Sequence, residues 1–232
     1  MQDIFKNNLA EVHQRIADAA SGSGRSADNV TMVAVTKYVG ADVTRELVGA
    51  GANVLGENRP QALDEKAQAL SDLDVQWHMI GSLQRNKVKK TLQIASMVHS
   101  LDRDSLIDAV ARHATESDQV VDCLLEVNVS GEDSKHGFAP EQVGPAIERV
   151  ASLSSIRLRG LMCMAGLAGD IDDARREFAM LRELRDQHAA SESGNVQLTE
   201  LSMGMSSDFE AAIEEGATIV RVGSLLFRGI KR

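Results

Sequence analysis

The amino-acid sequence predicts a closed (β/α)8 barrel of parallel strands with an extra N-terminal helix. Three observations carry this expectation. Short β-branched runs recur along the chain, each followed by a stretch of helical character, and parallel neighbours need such a crossover. Eight of these runs fit into about 200 residues, near the lower end of the size range for such a barrel. Polar residues gather where the runs end, which is the rim where this fold collects its chemistry. Strand count does not prove closure, so a doubly wound open sheet is the alternative.

The elements follow in order. Ile4, Phe5, Leu9, Val12 and Ile16 recur at helical spacing, giving one apolar stripe. That helix ends in Ser21-Gly-Ser-Gly-Arg-Ser26, a loop by composition, so residues 1–26 form an N-terminal helix and loop. The first strand is Thr31–Lys37, with a helix near Asp42–Gly49 after it. Asn53–Asn58 leads into Pro60–Leu70, whose proline suits a first helical turn. Val75–Gly81 is followed by Arg85–Ile94, and Met97–Asp102 by Arg103–Glu116. Val120–Ser130 precedes Pro140–Ser152, and Ile156–Met164 precedes Asp172–Ala190. Leu198–Gly204, the helix Ser207–Glu215 and the strand Thr218–Gly223 complete the set. No linker or shift in composition divides residues 1–232, so one domain is expected.

Composition excludes several classes. Lys and Arg number 25 against 34 Asp and Glu, a formal net charge of −9. That disfavours nucleic acid or an anionic membrane as the partner, since both select basic faces. Cys123 and Cys163 show no CxxC or zinc-type spacing, which suits a reduced, cytoplasmic protein. The start of the chain lacks the pattern of a signal peptide, and no apolar run approaches the ~20 residues of a membrane span. The six histidines form neither HxH nor HExxH, so no metal site is expected.

Lys37 stands out among the polar strand ends. Alternation in Val33-Ala-Val-Thr-Lys37 puts Val33, Val35 and Lys37 on one face. If that face is the interior, the amine sits at the mouth of an apolar cavity, and desolvation favours its neutral, nucleophilic form. A lysine snorkelling into solvent is the competing explanation. Ser202-Met-Gly-Met-Ser-Ser-Asp208 follows the seventh strand and Arg221-Val-Gly-Ser224 the eighth. Glycine N–H groups, serine hydroxyls and a following helix start suit an anion, and these two loops are the frequent phosphate position of the fold. Ser207 with Glu210 has capping-box spacing. An amine and a phosphate cradle in one mouth suggest a phosphorylated aldehyde, and Arg221 could then donate to a ring nitrogen. The competing reading makes Arg221 a partner for a carboxylate.

These residues resemble the pyridoxal 5′-phosphate homeostasis proteins, single-domain relatives of the alanine racemase barrel. The likeness rests on Val33-Ala-Val-Thr-Lys37, Gly56-Glu-Asn-Arg59, Trp77-His-Met-Ile-Gly81 with Gln84-Arg-Asn-Lys87, and Val127-Asn-Val-Ser-Gly-Glu132 with Lys135-His-Gly137. Gly160-Leu-Met-Cys-Met164, Leu201-Ser-Met-Gly-Met-Ser206 with Asp208, and Val220-Arg-Val-Gly223 complete it. Pro60 and Arg228 depart from the family's usual residues at positions carrying no site role. The resemblance implies pyridoxal 5′-phosphate (PLP) as cofactor, held as a covalent aldimine on Lys37, with Arg221 facing the pyridine nitrogen. It places Ser202, Gly204, Ser206, Gly223 and Ser224 around the phosphate, Asn58 near the ring, and His78 and Met203 close by.

The chemistry expected of that set is binding without turnover. An arginine donates to the ring nitrogen without giving up its proton, which makes the ring a weak electron sink. Racemisation needs a second base across from the lysine. The only tyrosine, Tyr38, adjoins Lys37 and would point to the other side of a continued strand; His78 or Cys163 could substitute. The expected function is a reversible PLP carrier in cofactor homeostasis, with no catalytic residues, PLP-dependent apoenzymes as partners and a monomeric state. The alternatives are a PLP-dependent amino-acid racemase or lyase of the alanine racemase fold type, and a cofactor-free aldolase using Lys37. The basic cluster Arg85, Lys87, Lys89 and Lys90 reads as a solvated helix face, or as a landing site for a phosphate or an acidic enzyme. The nine methionines read mostly as core filler.

Overall fold

The computed structural model describes residues 1–132, 136–166, 169–191 and 194–230. Helix α1 (Gln2–Gly22) precedes β1 (Thr31–Val35), α2 (Ala41–Gly49), β2 (Val54–Glu57), α3 (Pro60–Ala69) and β3 (Gln76–Met79). Then come α4 (Val88–Leu92), β4 (Ala95–Leu101), α5 (Asp104–Glu116), β5 (Val121–Glu126), α6 (Val143–Ala151) and β6 (Ile156–Met162). Helix α7 (Ile171–Gln187), β7 (Val196–Met205), α8 (Phe209–Glu214) and β8 (Ile219–Val222) complete the order.

All eight strands pair in parallel and in sequence order, and the sheet closes. Closure is made by β1 against β8, in the register Thr31 to Ile219 through Ala34 to Val222. The open-sheet alternative is thereby removed. Alternation along the strands sends one set of side chains inward. Val33, Leu124, Met162 and Ile219 form an interior cluster of their own, with Val54, Ile80 and Met97 packed on it. Gly56 makes room for that layer, because a Cβ there would lie 2.7 Å from Val33 Cγ1. The other face of each strand buries against the helices.

Helix α1 is not an addition outside the ring. Among the described residues no helix follows β8, and α1 packs between α8 and α2 in the place that an eighth crossover helix would fill. Its seat is specific. Phe5 meets Phe227 edge to face at 5.7 Å. Asn8 Nδ2 donates to the carbonyls of Leu226 and Arg228 at 2.9 and 3.0 Å, and the Arg15 guanidinium lies 4.8 Å over the Phe209 ring. Ile4, placed on the apolar stripe by spacing, is 40% exposed.

The strands deviate from expectation mainly at their ends. β1 stops at Val35, so Thr36, Lys37 and Tyr38 belong to the turn that follows. β5 ends at Glu126, with Val127 continuing only as a single bridge to Phe138. Among the described residues no helix is long and apolar enough to cross a membrane, and no group of three or more His, Cys, Asp or Glu could hold a metal ion.

Candidate functional site

At the carboxyl ends of the strands lies a cavity of about 640 Å³. Its position follows from the fold, since the inward residues near the middle of the barrel are packed and those at the rim are not. The wall nearest β1 is built by a buried polar clamp. Thr36 N donates to Gly56 O at 3.1 Å, and Thr36 Oγ1 to Glu57 Oε1 at 2.6 Å. Lys66, reaching up from α3, donates to Thr36 O at 2.7 Å and pairs with Glu57. Among the described residues, Glu57 Oε2 is buried without a hydrogen-bond partner. The turn carrying Lys37 is therefore held at the residue just before it, by groups on the neighbouring β2–α3 unit.

Lys37 lines the cavity and is exposed, with Nζ 5.0 Å from the centre of the Tyr38 ring. Strand alternation predicted Tyr38 on the far side; because β1 has already ended, Tyr38 lines the cavity beside Lys37 instead. It stands next to the lysine rather than across from it. Asn58 and Gly81 continue the wall. Gly81 is packed so tightly that a Cβ would overlap the Asn58 carbonyl oxygen and lie 2.7 Å from Asn58 Cα.

The floor is charged and buried. Arg221, on β8, is 4% exposed and donates to Ser202 Oγ at 2.6 Å and to Cys163 O at 2.8 Å. Burial lowers its pKa, partly offset by Cys163, Glu126 and Asp208. Glu126, at the end of β5, is 3% exposed and lines the cavity. Burial, reinforced by the negative charge of Asp102, pushes its carboxyl up to about 7, against the pull of Arg221 and Arg103. Behind Ser202 stand two buried histidines: His99 Nδ1 lies 2.9 Å from Ser202 Oγ, and His99 Nε2 lies 2.9 Å from His78 Nδ1. Burial draws His78 down to about 4 and His99 well below its ordinary value.

The remaining side comes from the loops after β7 and β8. Ser206, Ser207, Gly223 and Ser224 face the cavity, and Ser206 Oγ accepts from Gly223 N at 3.0 Å. The capping box expected of Ser207 and Glu210 does not form. Asp208 is the N-cap of α8, its Oδ1 accepts from Met205 N at 2.6 Å, and Glu210 is taken by Arg15. With only six residues in α8, what faces the cavity here is loop hydroxyls and amides rather than a helix end.

Of the residues singled out in the sequence, Lys37, Asn58, Ser206, Arg221, Gly223 and Ser224 line this one cavity. His78, Ser202, Met203 and Gly204 do not; all four are buried beneath or behind it. Ser202 and His78 face the barrel interior. Met203 joins the core outside the sheet. Gly204, at φ +88°, lets the chain pass α8, where a Cβ would lie 2.5 Å from that of Ala212. Sequence reasoning missed Glu126 and Arg59 as lining residues and gave no role to His99. Glu126 was findable, since it shares the inward parity of Leu124 at the last position of its strand. Lys135 of the Lys135-His-Gly137 block lies outside the described residues. The basic cluster lies off this cavity, with Lys90 paired to Asp64 on the outer surface.

The donor set has a definite character. It offers an amine at the mouth, a guanidinium donor in the floor, and hydroxyls with amides on one side, between apolar surfaces of Val35, Ile80 and Met164. A flat ligand with a carbonyl, a lone-pair acceptor and an anionic group would engage all three, and PLP has these features.

Comparison with known proteins agrees with the architecture. The family model "Alanine racemase, N-terminal domain" matches residues 6–230, which sets the class of barrel. A pyridoxal phosphate homeostasis protein of Aquifex aeolicus is 44% identical over 219 residues, covering 94% of this chain and 95% of that protein. Among solved structures, an unknown protein from Bifidobacterium adolescentis superposes with a TM-score of 0.92 at 35% identity, covering 97% of this chain and 95% of the other. PipY of Synechococcus elongatus PCC7942, with PLP bound, superposes with a TM-score of 0.81 at 34% identity over 91% of this chain and 99% of PipY. The chain belongs to the pyridoxal phosphate homeostasis protein family.

Proposed function

We propose that this protein holds PLP in the cavity described above, as a reversible Schiff base on Lys37, and serves cofactor homeostasis without turning over a substrate. The observation that carries this is the convergence of Lys37, Arg221 and the Ser206–Gly223–Ser224 side on one cavity. A relative at 34% identity has been solved with PLP bound. The cofactor supplies an aldehyde conjugated to an electron-accepting ring. The protein supplies the rest. Lys37 Nζ is the nucleophile, exposed enough to exchange its partner with another amine. Arg221 donates to the ring nitrogen and keeps its own proton. Ser206 and Ser224 seat the phosphate, with the Gly223 amide holding Ser206 in place, and Asn58 lies against the ring.

Binding without turnover is supported by the burial of the candidate second bases. The two groups that could replace a racemase's second base, His78 and Cys163, are both buried off the cavity, and Tyr38 lies beside the lysine. Glu126 favours the second reading, a racemase or lyase, because it lines the floor and changes charge near neutral pH. Deuterium exchange at the α-carbon of alanine in D₂O separates the two, since a carrier leaves that position protonated. The recipients in this reading are PLP-dependent apoenzymes, and the carrier acts as a cytoplasmic monomer.

The test is spectroscopic. PLP-loaded protein should be yellow and become irreversibly labelled on borohydride reduction. Lys37→Ala should bind without a reducible adduct. An adduct that survives in Lys37→Ala would remove the lysine from its role.

A further inference from the structure

The buried row behind the cavity floor has a direction that the hydrogen-bonding rules decide. Arg221 has donors only, so Ser202 Oγ accepts from it. Ser202 is wholly buried, and among the described residues its side chain has one other polar neighbour, His99 Nδ1 at 2.9 Å. If His99 Nδ1 carried a hydrogen, the Ser202 hydroxyl proton would be left buried without an acceptor, which native interiors rarely tolerate. Ser202 therefore donates to His99 Nδ1. A neutral His99 then carries its proton on Nε2 and donates it to His78 Nδ1, 2.9 Å away. One assignment gives each of these contacts, from β8 through β7 and β4 to β3, a donor and an acceptor.

We propose that His99 is a positioning residue: by taking the Ser202 proton it turns the serine oxygen toward Arg221 and fixes the plane in which Arg221 presents its remaining N–H groups to the cavity. The anchors of Arg221 are then a hydroxyl and the Cys163 carbonyl, neither of them charged. The guanidinium keeps its full donor strength for a ligand acceptor, and the floor selects a ring bearing a free lone pair over one bearing an N–H. The low pKa values that burial gives His78 and His99 keep both rings neutral, as the row requires. The consequence for PLP rests on the function proposed above; the direction of the row does not.

Two measurements separate them. Long-range ¹H–¹⁵N correlation spectra of the ligand-free protein should show His99 and His78 both protonated on Nε2, and a proton on His99 Nδ1 overturns the proposal. In PLP titrations followed by absorbance, His99→Leu should weaken binding about tenfold, the scale of one lost hydrogen bond. His99→Gln, which can accept from Ser202 and donate to His78, should stay within about threefold. Because His99 acts through Ser202, adding His99→Leu to Ser202→Ala should cost nothing further. Losses that multiply instead would show His99 acting by packing alone. If His99→Leu does not fold, the spectra and the glutamine variant still decide. If the parent takes up no PLP, the functional reading fails while the spectra continue to judge the row.

Discussion

Glu126→Gln offers a direct measurement of the electrostatics of the cavity floor. The carboxyl titrates near its ordinary 4.5 in the unfolded chain and at about 7 in the folded one, chiefly because burial penalises its charged form. Between those values the native state binds more protons than the unfolded state, so stability falls as pH rises through the window and the loss is complete above 7. The displacement corresponds to about 3 kcal/mol. Glutamine keeps the shape and removes the charge. In urea unfolding of ligand-free protein, the variant should therefore gain about 3 kcal/mol relative to the parent between pH 4 and pH 8. Taking the difference at each pH cancels the other carboxylates. His78 acts in the opposite sense. Its pKa is drawn from 6.5 to about 4 by burial, so its contribution is present above 6.5 and lost on acidification toward 4. His99, also drawn down by burial, acts with His78, so between about pH 4.5 and 6.5 Glu126 offsets only part of their rise, and stability should climb with pH more steeply in Glu126→Gln than in the parent. A parent–variant difference that stays flat from pH 4 to 8 would refute the assignment of a raised pKa to Glu126.

Two further outcomes test the supports of the site. Lys66→Met should destabilise the protein by about 3–5 kcal/mol, because it leaves the fully buried Glu57 carboxylate without its ion partner; the double variant Glu57→Gln/Lys66→Met should recover much of that in the same urea assay. Gly81→Ala should lower the thermal midpoint by several degrees and weaken PLP binding together, since the new methyl meets the Asn58 backbone rather than a side chain able to move aside.

The strand–helix alternation was legible because its signal is local. β-Branched runs, turn residues and the Pro60 helix start each act over a few residues, and the observed elements fall on them with end shifts of one to a few positions. Lys37, Arg221 and the glycine–serine loops were legible for a related reason, since chemistry in this fold gathers at strand ends. Where the sequence misled, the fault was local extrapolation. Running β1 on through Lys37 put Tyr38 on the wrong side, and capping-box spacing suggested a helix start that Asp208 makes instead.

Sequence by itself determined the order of the elements, the inward parity of their residues and the identity of the rim groups, because each depends on neighbours along the chain. Only the tertiary structure decided that the sheet closes, that α1 completes the helix ring, and that Ser202 and His78 lie beneath the cavity instead of lining it. Those outcomes depend on contacts such as β1 with β8 and His99 with Ser202, the latter 103 positions apart. Such pairs are chosen by the shape of the folded barrel, and local periodicity carries no record of them.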